Sequence, residues 1–220
     1  ASLTQRETDP FITINGGTLS ISAWAKGIVS ASIVTFSNAY INLNSIETGV
    51  QGKKGIYINK GRYLLESTSG NTLESEQSFT LTAGRTFLRS RGTQTPINVP
   101  ATGTFEITGG TLIATGGKPE QKASLKEGSQ PAFVFFKNFT AQTLLHLREG
   151  EREVFTYRTP ISIAYLLFTS EKLQANKKYH FYKGGIIREG QEKNNLYHSG
   201  WYSKPDSLVT YFTANKTVNP

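Results

Sequence analysis

Tyr40, Arg62 and Arg85 stand 22 and 23 residues apart. If the chain stacks on itself at that interval, they form a ladder of one aromatic ring and two guanidinium groups. Such a ladder suits a carboxylated sugar, because a guanidinium offers a carboxylate two parallel N–H donors. Without a ligand, like charges on neighbouring strands repel, so the same pair also fits side chains splayed into water. A second group, Tyr197, Trp201 and Tyr202 around Gly200, places flat rings in a glycine-containing segment. Those rings suit stacking on pyranose faces or packing against the rest of the chain. Trp24 fits either a binding aromatic or a plug of the core.

Other chemistries find few residues. The chain has no Cys, and its only Asp residues are Asp9 and Asp206, so disulfides and thiolate chemistry are excluded. Convergent aspartates for acid and base roles are lacking too. Glu47, Glu66, Glu74 and Glu76 are the candidate carboxylates on the coils, each expected on a solvated surface. His146, His180 and His198 show no metal-binding spacing, and neither a nucleophile elbow nor a phosphate loop occurs. The net charge of +8 is spread along the chain. That excess favours encounter with polyanions without choosing among them, and no nucleic-acid-binding motif accompanies it. No apolar run reaches the roughly 18 residues of a membrane span.

The elements that must position the ladder are visible as a repeat. The stretch ITINGGTLSIS at 12–22 returns as FEITGGTLIAT at 105–115, with degenerate copies beginning at Val34, Ile56 and Phe79. Ile14, Phe36, Ile58, Leu81 and Ile107 align at steps of 22, 22, 23 and 26. Apolar columns flank this anchor, and Gly17, Ala39, Gly61, Gly84 and Gly110 mark the corner between two short strands. A third apolar column runs through Ile28, Val50, Leu73 and Ile97. Units this short cannot bury an apolar face alone and must stack. The pattern predicts an all-β chain, a right-handed parallel β-helix of five coils over 11–119. The residue after each corner, Thr18, Tyr40, Arg62, Arg85 or Thr111, is expected to face outward.

After Pro119 the repeat stops and aromatic residues become denser. Segments 131–139, 143–158 and 161–170 read as strands, with a hairpin turn at 148–151 and a second hairpin around Gly184–Gly185. A short helical fragment is expected near Leu173, and the polar stretch GGKPEQKASLKEGSQP reads as a solvated connection. The whole is read as one domain over 11–220, with a β-rich region over 120–220 packed on, or extending, the coils.

The Gly-Gly-Thr-Leu coils, followed in order by LLFTSEKLQANKKYHFYKGG and LYHSGWYS, resemble a bacterial carbohydrate-binding parallel β-helix family whose clostridial member binds polygalacturonate. The resemblance implies a fold similar to pectate lyases in an exported protein, at the cell surface, in the periplasm or secreted. It also implies non-catalytic binding of acidic, pectin-like polysaccharide. One departure matters: where that family carries Asp-Gly-Ile corners that serve calcium, this chain has Lys26-Gly27-Ile28 and Thr48-Gly49-Val50. No cofactor is therefore expected, calcium included. The expected partner is a polysaccharide, not a nucleic acid or a membrane span. Rival readings are a metal-independent polysaccharide lyase using Arg or Lys as base, and a surface scaffold or adhesin that binds a protein.

Overall fold

The computed structural model describes residues 10–120, 124–203 and 208–213; Asp9 and Asp206 lie outside them. The described residues contain strands and no helix. Five coils succeed one another. The first holds β1 (Ile12–Asn15), β2 (Thr18–Ala23) and β3 (Ile28–Ser30). The second holds β4 (Ile33–Ser37), β5 (Ala39–Ser45) and β6 (Val50–Gly52). The third holds β7 (Gly55–Ile58), β8 (Gly61–Ser67) and β9 (Leu73–Glu74). The fourth holds β10 (Ser78–Leu81), β11 (Arg85–Ser90) and β12 (Ile97–Asn98). The fifth holds β13 (Thr104–Ile107) and β14 (Thr111–Gly116).

Equivalent strands pair in parallel, so the three sides of the coil become three sheets of a parallel β-solenoid. The anchor column is in register: Ile14 opposes Phe36, Phe36 opposes Ile58, and Leu81 lies between Ile58 and Ile107. These residues point inward because apolar positions alternate with polar ones along each strand, and from Phe36 onward the column has no solvent exposure. Each such side chain stabilises the fold by about 1.5–3 kcal/mol relative to leaving it in water. The column Ile28, Val50, Leu73, Ile97 forms the third wall. Along one inner edge, serines replace apolar residues and satisfy one another: Ser67 Oγ lies 3.2 Å from Ser90 Oγ, which lies 2.7 Å from Thr72 Oγ1.

The corner glycines turn the chain with positive φ, and the second coil achieves this without glycine. Asn38 takes φ 52°, a conformation that Asn tolerates better than other side chains, which leaves Ala39 in the glycine column. The corners approach one another closely: an added Cβ would lie 2.3 Å from the Ala39 carbonyl oxygen at Gly61, and 2.6 Å from the Gly61 carbonyl oxygen at Gly84, each in the coil before.

The region after the coils both extends a sheet and covers it. Strands β15 (Ala132–Phe135), β16 (Leu144–Glu149), β17 (Arg152–Arg158), β18 (Tyr165–Thr169) and β19 (Lys178–Lys183) come first. They are followed by β20 (Ile186–Arg188), β21 (Glu192–Lys193), β22 (Leu196–Tyr197), β23 (Trp201–Ser203) and β24 (Leu208–Thr213). Strand β18 pairs antiparallel with β14, and β15 with β18, so the middle sheet of the solenoid gains two strands. A separate antiparallel sheet of order β21-β22-β17-β16-β19-β24 packs across its outer face. Phe87 and Ile113, which point out of the coils, thereby enter a second core with Phe133, Phe168, Phe155 and Phe181. The middle sheet is the shared wall of two cores.

Three expectations are corrected. The polar stretch after Pro119 is no solvated connection where it is described: Leu125 is buried in the solenoid core and bridges Phe105 in parallel. The backbone N–H groups of Lys126 and Gln130 donate to the carbonyls of Phe105 and Ile107 at 2.8 and 2.7 Å. A single leucine suffices to seat this segment, since main-chain groups of the last coil need partners whatever the side chains are. Gly184–Gly185 does not turn a hairpin; β19 stays in the covering sheet, while β20 leaves to pair with β23. Around Leu173 the chain makes a turn stapled by Tyr179, whose hydroxyl accepts from the Gln174 N–H at 2.8 Å. The hairpin turn between β16 and β17 is as expected.

Candidate functional site

The ladder forms in the expected register. Thr18 opposes Tyr40, Tyr40 opposes Arg62, Arg62 opposes Arg85, and Arg85 opposes Thr111. Their inward neighbours Ile41, Tyr63 and Thr86 are buried, so Tyr40, Arg62 and Arg85 project outward into solvent. Neighbouring strands are about 4.8 Å apart, which holds two guanidinium groups side by side. Neither has an ion-pair partner among the described residues.

A feature not read from the sequence closes this surface on one side. Strands β21 and β22 are joined by Asn194 and Asn195 at φ 55° and 66°. Positive φ at both central residues defines the tight hairpin turn that asparagine favours. The tip is held by Arg89, which projects from β11 two strand positions beyond Phe87 and is buried. Its Nη2 donates to the Asn194 carbonyl and to Asn195 Oδ1, each at 2.8 Å, while Nη1 donates to Glu66 Oε1 at 2.5 Å. Glu66 is thus a structural partner. With the tip anchored, Lys193, Asn194 and His198 line a cleft with Tyr40, Arg62 and Arg85. Burial lowers the pKa of His198, and the charges of Arg85, Lys172, Lys193 and Arg62 lower it further. The imidazole is therefore neutral at pH 7, among cations that attract an anion. The adjacent Asn194–Asn195 pair was the available sequence signal, since two asparagines between strand-like residues suit a two-residue turn.

The aromatic trio does not converge. Trp201 is 77% exposed on the outer face of the β20–β23 ribbon, opposite Arg188. Tyr202, next along the strand, points inward: its ring stacks on His146 at 3.6 Å, and its hydroxyl donates to the Gly184 carbonyl at 2.7 Å. Tyr197 belongs to β22, and its hydroxyl accepts from Arg158 Nε at 3.0 Å. Of the three rings, Trp201 presents an open face. Trp24 is 89% exposed and so is no core plug.

His146 is a structural pivot. Thr156 Oγ1 gives its single proton to Glu153 Oε1 at 2.7 Å, so His146 Nδ1–H must donate to Thr156 Oγ1, 2.6 Å away. Burial, assisted by the charge of Arg148, pushes the pKa of His146 down to about 3. A calcium site needs several carboxylates free to converge. Glu66 is taken by Arg89, and Glu74 accepts from Gln51 Nε2 at 3.0 Å and Asn71 Nδ2 at 3.1 Å. Among the described residues no three carboxylate or imidazole side chains converge, which does not fit an ion that wants six to eight oxygen ligands.

A family model described as carbohydrate-binding domain-containing protein matches residues 2–122, the part that holds the coils. No curated protein and no solved structure matches the chain. The family match supports a carbohydrate partner and leaves the sugar open.

Proposed function

The chain belongs to the carbohydrate-binding domain-containing protein family, and on that premise we propose that it binds acidic, pectin-like polysaccharide at the cationic ladder, without turnover. The observation that carries this reading is the pairing of Arg62 with Arg85 on adjacent strands, with Lys193 and His198 brought beside them by the hairpin. A uronate carboxylate over the two guanidinium groups relieves their repulsion and receives parallel N–H donors. Tyr40, one strand further along, offers a ring to the next sugar. Trp201 supplies a separate stacking face that is indifferent to sugar charge. Binding needs no calcium in this reading, and an exported location, where such polysaccharides are met, goes with it.

Retardation in gels containing polygalacturonate tests the ladder. The parent is expected to be retarded strongly at low salt and less at moderate salt, since exposed charges are screened over about 10 Å at 0.1 M. The double variant Arg62→Gln, Arg85→Gln is expected to lose the salt-sensitive part. At about 0.2–1 kcal/mol for each exposed ion pair, the affinity falls roughly 2- to 30-fold. Trp201→Ala is expected to weaken acidic and neutral ligands alike, and a chelator to change nothing. Equal retardation of double variant and parent at both salt levels would remove the ladder as the site. Ultraviolet absorbance from an unsaturated uronide in the same mixtures would replace binding by a lyase activity.

A further inference from the structure

The corner that ends the middle-sheet strand carries its own ladder. Trp24, Ile46 and Thr68 are the first residues past β2, β5 and β8. They stay in register through the turn, because the N–H groups of Ile46 and Thr68 donate to the carbonyls of Ala23 and Ser45, each at 3.0 Å. Trp24 is 89% exposed and Ile46 40% exposed. Beside them Ser22 and Asn44 face outward from β2 and β5, and together these residues border a shallow depression of about 280 Å³. Trp24 adds nothing to the core, and an indole left in water forgoes the gain of burial. Ile46 stands six residues past Tyr40 along the same coil, about 20 Å at the rise of a strand. This patch is therefore distinct from the cationic ladder.

We infer that the Trp24 corner is a second glycan subsite, one that takes an uncharged pyranose. An indole face on an isoleucine step matches the apolar face of a sugar ring. The hydroxyl of Ser22 and the amide of Asn44, held by rigid strands, are placed for the ring hydroxyls. No charged side chain borders the depression, so nothing there favours a carboxylate. The apolar surface is two side chains wide, whereas a stable protein interface engages about 20–30 residues a side; its size fits a sugar and not a protein.

The test uses the chain's two tryptophans. In the Trp201→Phe variant Trp24 is the sole indole, and its emission is followed while cellohexaose, xylohexaose, mannohexaose, galactohexaose and trigalacturonate are added separately. At least one neutral hexaose is expected to shift the emission saturably, and trigalacturonate is expected not to. Trp24→Ala is expected to lower retardation in gels of the corresponding neutral polymer about fivefold. The same emission response is expected when Arg62 and Arg85 are also replaced by Gln, so loss of the acidic site leaves it unchanged. Silence with all four neutral hexaoses overturns the inference, as does unchanged retardation of Trp24→Ala. So does a change from dimer to monomer on that substitution in sedimentation, which would make the corner a self-contact.

Discussion

Gly84→Ala is expected to destabilise the chain by roughly 3–5 kcal/mol, while Gly16→Ala costs about 1–2 kcal/mol. Both glycines have positive φ, 96° and 80°, so any side chain suffers the same kind of backbone strain at either site. They differ in what a Cβ would meet. At Gly16 nothing lies within 4 Å, whereas at Gly84 the carbonyl oxygen and nitrogen of Gly61 lie at 2.6 and 2.8 Å. Those atoms are backbone of the preceding coil and cannot rotate away. Relief requires the corner to lift, which loosens the pairing of β11 with β8 and the fully buried Leu65 and Leu88 behind it. Midpoints of chemical denaturation for the two variants and the parent separate the two contributions. Equal shifts would show that φ alone matters and that the corners do not touch as described; no shift in either would remove the need for glycine altogether.

The solenoid was legible because its information repeats. Each coil restates the same inward columns, and the stacking of Ile14, Phe36, Ile58, Leu81 and Ile107 follows from spacing without knowledge of tertiary contacts. The covering sheet was less legible, although a trace of it runs through one outward column. Ser20, Asn42, Leu64, Phe87 and Ile113 occupy equivalent positions, and their change from polar to apolar marks where water gives way to a second core. Gly184–Gly185 misled because twin glycines suit any abrupt change of direction. Here Gly185 lets β20 pass the ribbon strand, where a Cβ would lie 2.4 Å from the Ser203 carbonyl oxygen. The outward face of the ladder was readable from alternation. Its closure by Lys193 and His198 was not, since that depends on Arg89 reaching a turn 105 residues away, and no local pattern encodes so distant a contact.

Arg89→Met is expected to cost about 3 kcal/mol and to weaken acidic-polysaccharide binding with it. The guanidinium holds Glu66, the Asn194 carbonyl and Asn195 Oδ1 at once. Removing one member of a buried ion pair costs about 3–5 kcal/mol, because the partner is left charged and uncompensated. Here the side chains of Arg89 and Glu66 retain 10% and 28% of their exposure, so water softens the loss toward the lower figure. Methionine fills the space of the aliphatic stem but offers no donor, and the Asn194–Asn195 tip loses its side-chain anchor. Lys193 and His198 are then no longer fixed beside Arg62 and Arg85, and the cleft loses its closed side. Adding Glu66→Leu removes the stranded carboxylate and is expected to recover stability but not binding, because the turn keeps its main-chain bond from the Arg158 N–H to the Asn195 carbonyl but not the side-chain clamp that sets Lys193 and His198. Denaturation midpoints and polygalacturonate retardation, measured on the single and double variants, read the two effects separately. Full recovery of binding in the double variant would show that the hairpin holds its place without Arg89 and that the cationic cleft is closed by the packing of β22 on β17 alone.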